Sequence, residues 1–341
     1  MTTQRVPAAS NGISAFMTDR YRGSLTLVFL LLFQGCTHPG LRQTLRNGLP
    51  ATESSPRMLA VYEPWFGHPS HISVGYSTQD PVVIRQQIDQ AKALGISGFV
   101  VDWYGDREPF IDRSYALIQT IAAEKKFNVS MMYDETQTEE QNGESTDEAL
   151  AAFDKFEETY LSPNAPGRQA YLTYSGRPVI LIFPKSGQTD WNRVRAATDK
   201  WNPPPLLIYE DHPTTFAAAF DGFYAWINPG KKGWTADGSN WGEDYLSDFY
   251  RKMQSEYPNK IAVGAAWAGF DDSQASWGLN RHMSQRCGET FADTMRVWRQ
   301  YYPADRPLPF LLIETWNDYE EGTAIERGLA KCGTDSQQPG Q

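Results

Sequence analysis

From residue 58 onward the chain alternates between two textures. Eight short runs are almost wholly apolar or β-branched: MLAVY at 58–62, SGFVVD at 97–102, NVSMMY at 128–133, PVILIF at 178–183, PLLIY at 205–209, DGFYAWI at 221–227, KIAVGAA at 260–266 and PFLLIE at 309–314. Between them lie segments whose apolar residues recur at helical spacing. One, 80–95, opens on Asp-Pro and stops at Gly95; the others occupy 111–126, 145–160, 190–201, 243–256 and 289–301. Strands without polar alternation are covered on both faces, and strands separated by helices pair in parallel. Eight of them predict an α/β fold of the (β/α)8 TIM-barrel class, one domain filling 58–330. The weak place is the eighth helix, because little chain follows Glu326. A doubly wound open sheet is the alternative, but no Gly-rich nucleotide turn follows the first run.

The N-terminal texture is different. DRYRGSLTLVFLLLFQGC, residues 19–36, sets Arg20 and Arg22 before an apolar run from Leu25 to Phe33 and then Gly35-Cys36. That run is too short to span a bilayer but suits the apolar centre of a secretory signal. It predicts a signal peptide over 1–36 with a lipoprotein-type cysteine, Cys36, carrying lipid; an uncleaved anchor is the alternative. The polar stretch 37–57 reads as a flexible tether and 331–341 as a disordered tail. The expected location is the bacterial cell envelope, at its periplasmic or outer surface and anchored to membrane through the lipid, or else outside the cell. In an exported protein the other two cysteines, Cys287 and Cys332, form a candidate disulfide.

A net charge of −10 argues against nucleic acid, whose phosphates require clustered Lys and Arg. The chain has 11 Trp and 17 Tyr, residues whose flat face and polar edge suit a stacked sugar ring. In barrels of this class chemistry sits where the strands end. The first run leads to Glu63 and Trp65, the second to Asp102, Trp103 and Tyr104, and the third to Asp134 and Glu135. The fifth leads to Glu210 and His212, the sixth to Trp226 and the seventh to Trp267. The eighth run supplies Glu314, Trp316, Asn317, Asp318 and Glu321. A ring of carboxylates interleaved with aromatics is what glycoside cleavage needs: a protonated acid, a second carboxylate and stacking platforms. Like charges around a partly dry pocket would keep one carboxyl protonated near neutral pH. His68 and His71 form a weak metal pair, split by Pro69, so no metal is expected. No cofactor is expected either, since CxxC, GxSxG and P-loop motifs are missing. The expected partner is an oligosaccharide or polysaccharide, bound by a monomer.

At this point a resemblance becomes specific. WNDYEEGTAIE, residues 316–326, resembles the W-N-E-W-x-E-G-T-x-I-E signature of glycoside hydrolase family 99, the endo-α-mannosidase-like proteins. VYEPWFG at 61–67 and GFVVDWYG at 98–105 are similar to that family's first- and second-strand segments. The resemblance implies a barrel that cleaves α-mannosidic bonds with retention and without metal. It implies that Asp318 draws the proton from the sugar 2-hydroxyl, which then attacks the anomeric carbon to give an anhydro-sugar. Glu321 would protonate the leaving oxygen and later activate water. This chain departs from the signature at Asp318, one methylene shorter than the family's Glu, and at Tyr319. The shorter base favours a rival reading, a non-catalytic sugar-binding lipoprotein of the same fold. Glu320 fills the variable position and is expected to face solvent, and the three-residue spacing of Asp318 and Glu321 can turn both acids toward one site if the turn becomes helical.

Overall fold

The computed structural model describes residues 55–105, 107–135, 144–185, 188–211, 215–227 and 240–331. The leader with Cys36, most of the tether, His212, Cys332 and nearly all of the tail lie outside the described residues.

Eight strands close into a parallel barrel. They are β1 (Arg57–Tyr62), β2 (Gly98–Trp103), β3 (Asn128–Asp134), β4 (Arg177–Phe183), β5 (Leu206–Glu210), β6 (Gly222–Tyr224), β7 (Ile261–Trp267) and β8 (Phe310–Glu314). Each pairs with the next, and β8 returns to β1 with Arg57 beside Phe310 and Leu59 beside Leu312. Seven of the apolar runs thus mark the strands to within about a residue, because both faces of each are buried, while the sixth run, 221–227, outruns its strand by three residues at the C-terminal end.

Helices cover the barrel in the order expected: α1 (Pro81–Ala93), α2 (Pro109–Lys125), α3 (Glu144–Phe156), α4 (Trp191–Thr198), α5 (Glu243–Ser255) and α6 (Glu289–Val297). Their ends have local causes. The Asp80 carboxylate accepts the Val82 N–H with Pro81 following, and the Asp190 carboxylate accepts from Asn192 and Arg193. The segment predicted to run to 160 stops being α-helical at Phe156 and finishes as a π-turn, Glu157–Leu161. β5 and β6 are joined by a 3-10 turn, Ala217–Ala219, and no helix follows β8 among the described residues. Cys287 is disulfide-bonded.

Candidate active site

Strand parity builds the site. Side chains along a strand alternate between the barrel and the helix layer, so adjacent residues serve opposite faces. Tyr62 packs on Phe99 and donates to Gln87 of α1, whereas the next residue, Glu63, lines the central cavity. Asp102 faces in; Trp103 lies outside it against Phe156 and Tyr160, its indole N–H on Asp112 at 3.1 Å. Tyr133 packs on Phe153 and Trp191, and Asp134 faces in. The acids therefore converge on one cavity of about 610 Å³ at the C-terminal ends of the strands, together with Trp65, Tyr104, Glu135, Trp226, Asp318 and Glu321.

The remaining candidates lie elsewhere. Trp316 is fully buried against Phe99. Trp267 lies beneath the turn that starts α5, its indole N–H on the Trp241 carbonyl, and a Cβ on Gly242 would sit 2.9 Å from its ring. Glu210 is not among the cavity residues; its charge acts on Glu314, which is buried beside it and accepts the Ile227 N–H at 2.6 Å. Asn317 acts on backbone: its Oδ1 accepts the Glu63 N–H at 2.8 Å and its amide donates to the Glu63 carbonyl at 2.9 Å. Glu135 lines the cavity but is tied to the Lys185 N–H and the Thr189 hydroxyl, so it shapes the loop after β4.

After β8 the chain makes a tight turn rather than a helix. Asp318 Oδ1 accepts from the backbone N–H groups of Glu320 and Glu321, both at 2.9 Å, while the Asp318 N–H donates to Thr315. This side-chain turn aims Asp318 and Glu321 into the same cavity without helical geometry. Glu320, expected in solvent, is buried: it accepts the Ile72 N–H and pairs with His71 Nδ1 at 2.7 Å. The loop that follows β1 folds over the motif and covers it, which local spacing could not indicate.

Among the cavity residues that escaped sequence reasoning, three touch the acids or their partners. Lys185 follows β4, whose end offers no acid to attract attention, and its ammonium holds Asp134 at 2.6 Å. His71 stacks on Trp65 with ring centroids 4.9 Å apart, and His68 Nδ1 meets Ser70. Trp277, from the loop after β7, is 45% exposed, meets Trp65 and His71 edge-on, and donates its indole N–H to Glu321 at 3.0 Å. The Trp content of that loop was the available signal.

Burial dominates the electrostatics. It pushes Glu63 well above the ordinary range, helped by Asp102 and then Asp318. Asp318 rises through burial and the nearby Glu321. Asp102 is raised by burial and by Asp134, against Lys185 and a hydrogen bond from Tyr104. Asp134 reaches about 6, burial outweighing the opposing pull of Lys185. Glu321 is raised by burial, against the Trp277 hydrogen bond and Arg281. Several carboxyls sharing a few protons can hold an acid and a base at the same pH.

Comparison with known proteins bears on the fold. A GH99 endo-alpha-mannosidase from Bacteroides thetaiotaomicron superposes with a TM-score of 0.59 at 18% identity, over 79% of this chain and 87% of that one. The chain shares that barrel fold. The same enzyme in complex with bis-tris-propane gives the same score over 86% of its length. A glycoside hydrolase-like protein matches with a TM-score of 0.56 at 14% identity, covering 82% of this chain and 88% of that one. No family model and no curated protein sequence matches the chain.

Proposed function

We propose that the protein is a glycoside hydrolase acting on α-linked glycans, with Glu321 as acid and base and Asp318 as the base for the sugar 2-hydroxyl. The observation that carries this is the turn after β8, which sends both carboxylates into one aromatic-rimmed cavity, both raised by burial. Asp318 takes the 2-hydroxyl proton as that oxygen closes on the anomeric carbon; Glu321 gives its proton to the departing glycosidic oxygen. Water, deprotonated by Glu321, then attacks the anomeric carbon and opens the anhydro ring as Asp318 returns its proton to the 2-oxygen, which gives retention. The fold shared with an endo-alpha-mannosidase supports an α-mannan-like substrate and attack within a chain.

One observation favours the non-catalytic alternative. Asp318 Oδ1 is committed to two backbone N–H groups, which leaves one oxygen for a sugar. A screen of α-mannans and α-glucans, with products identified by mass spectrometry, separates the two. Glu321→Gln keeps shape and removes the titrating proton, so it should abolish hydrolysis while sugar binding survives; cleavage at the parental rate would refute the assignment. We further propose export with lipid on Cys36 and an envelope-anchored protein, supported by the order of basic, apolar and Gly-Cys residues in 20–36. Intact mass of membrane-extracted protein tests this, and an unmodified Cys36 refutes the anchor.

A further inference from the structure

The proposed chemistry uses the β8 side of the cavity and leaves the β1–β2 wall without a task. β1 and β2 run in register, Tyr62 beside Val101, so Glu63 and Asp102 stand side by side at the next step, both lining the cavity. They are only 4% and 5% exposed, and Glu63 Oε2 and Asp102 Oδ1 have no hydrogen-bond partner. Buried acceptors are normally satisfied, and a buried charge is normally paired. The cavity's own cations are engaged elsewhere: Lys185 with Asp134 at 2.6 Å and Arg107 with Glu148 at 3.0 Å.

Two oxygens lacking donors, next to negative charge that Lys185 offsets only in part, specify a ligand group. A sugar hydroxyl donates one hydrogen bond and brings no charge. A primary ammonium brings three N–H donors, no acceptor and one positive charge. We infer that the glycan bound here carries a protonated primary amine, an N-deacetylated amino sugar unit, seated between Glu63 and Asp102. This rests on the hydrolase reading for the glycan and extends it to the substrate class. The amine belongs to a unit beside the cleaved one, because the chemistry at Asp318 consumes a 2-hydroxyl. The repulsion that raises Glu63 next to Asp102 is what such a cation relieves.

The test is calorimetric binding by the full chain of α-linked oligosaccharides of a 2-amino-2-deoxyhexose, against the same oligosaccharides after N-acetylation. The free amines should bind at least about tenfold tighter, roughly 1.4 kcal/mol, and the advantage should shrink as salt is added. Asp102→Asn and Glu63→Gln should each reduce it to less than about threefold; if one fails to fold, the other decides, and the parental comparison requires neither. Equal or tighter binding of the acetylated forms overturns the inference. If neutral α-mannan is hydrolysed and the amines bind no better, the inference fails and the hydrolase reading stands. Amine-selective binding without hydrolysis of any α-glycan supports the inference and overturns that reading.

Discussion

The indole N–H of Trp277 on Glu321 gives the proposed acid its most direct handle. Trp277→Phe keeps an aromatic face at the cavity mouth and removes only the donor, now 3.0 Å from the carboxylate. That hydrogen bond favours the ionised form and holds Glu321 down against its burial. A hydrogen bond to a charged group contributes about 1.5–3 kcal/mol when buried. Trp277 is 45% exposed, so about 1 kcal/mol is a fairer figure. At 1.36 kcal/mol per unit, the Glu321 pKa should rise by a little under one unit. The assay is the pH profile of kcat/KM, which reports the free enzyme. Its alkaline limb, where the acid loses its proton, should move upward by that amount. The acidic side should hold and KM should change little. A limb that stays put, or moves down, would assign the alkaline pKa to another carboxyl and refute the role given to Glu321.

Other perturbations probe the supporting structure. Asn317→Ala leaves the Glu63 N–H and carbonyl without their 2.8 and 2.9 Å partners in a buried site, so it should destabilise the fold by about 2–4 kcal/mol in chemical denaturation. Asp102→Asn should stabilise the protein in a pH-dependent way. The Asp102 carboxyl is raised in the folded state, so its contribution is most favourable below the unfolded pKa of about 3.9 and is lost as pH rises through the folded value. The variant should therefore melt close to the parent near pH 4 and increasingly above it toward pH 8, and a constant difference across that range would contradict the cause assigned.

The fold was legible because parallel barrel strands are apolar on both faces and stand out from the amphipathic helices between them. The acids were legible as a class for the same reason: each interrupts the chain where an apolar run ends. The partition of neighbours was harder. Asp102 and Trp103 look equally well placed in sequence, yet they face opposite layers, and strict two-residue alternation along β2 would have separated them. Glu320 and His71 lie 249 positions apart, so only the folded loop after β1 reveals that they pair. Lys185 and Trp277 sit in connections rather than at strand ends rich in acids, and no periodicity reaches into such segments.

The seam between β8 and β1 ties assembly to order of synthesis. The Trp316 N–H donates to the Val61 carbonyl at 2.6 Å and Asn317 clamps Glu63, so the segment carrying both proposed reactive acids is stitched to the opening strand. A ribosome makes the two halves of this seam more than 250 residues apart, the last of it close to the end of the barrel. Until that late strand docks, the emerging chain has an open edge on β1 and lacks Asp318 and Glu321 in its cavity. Ring closure and competence then arrive in one long-range step, whose high contact order makes it slow. A chain stalled short of β8 would lack both proposed reactive acids, and its exposed edge would be open to pairing with other chains.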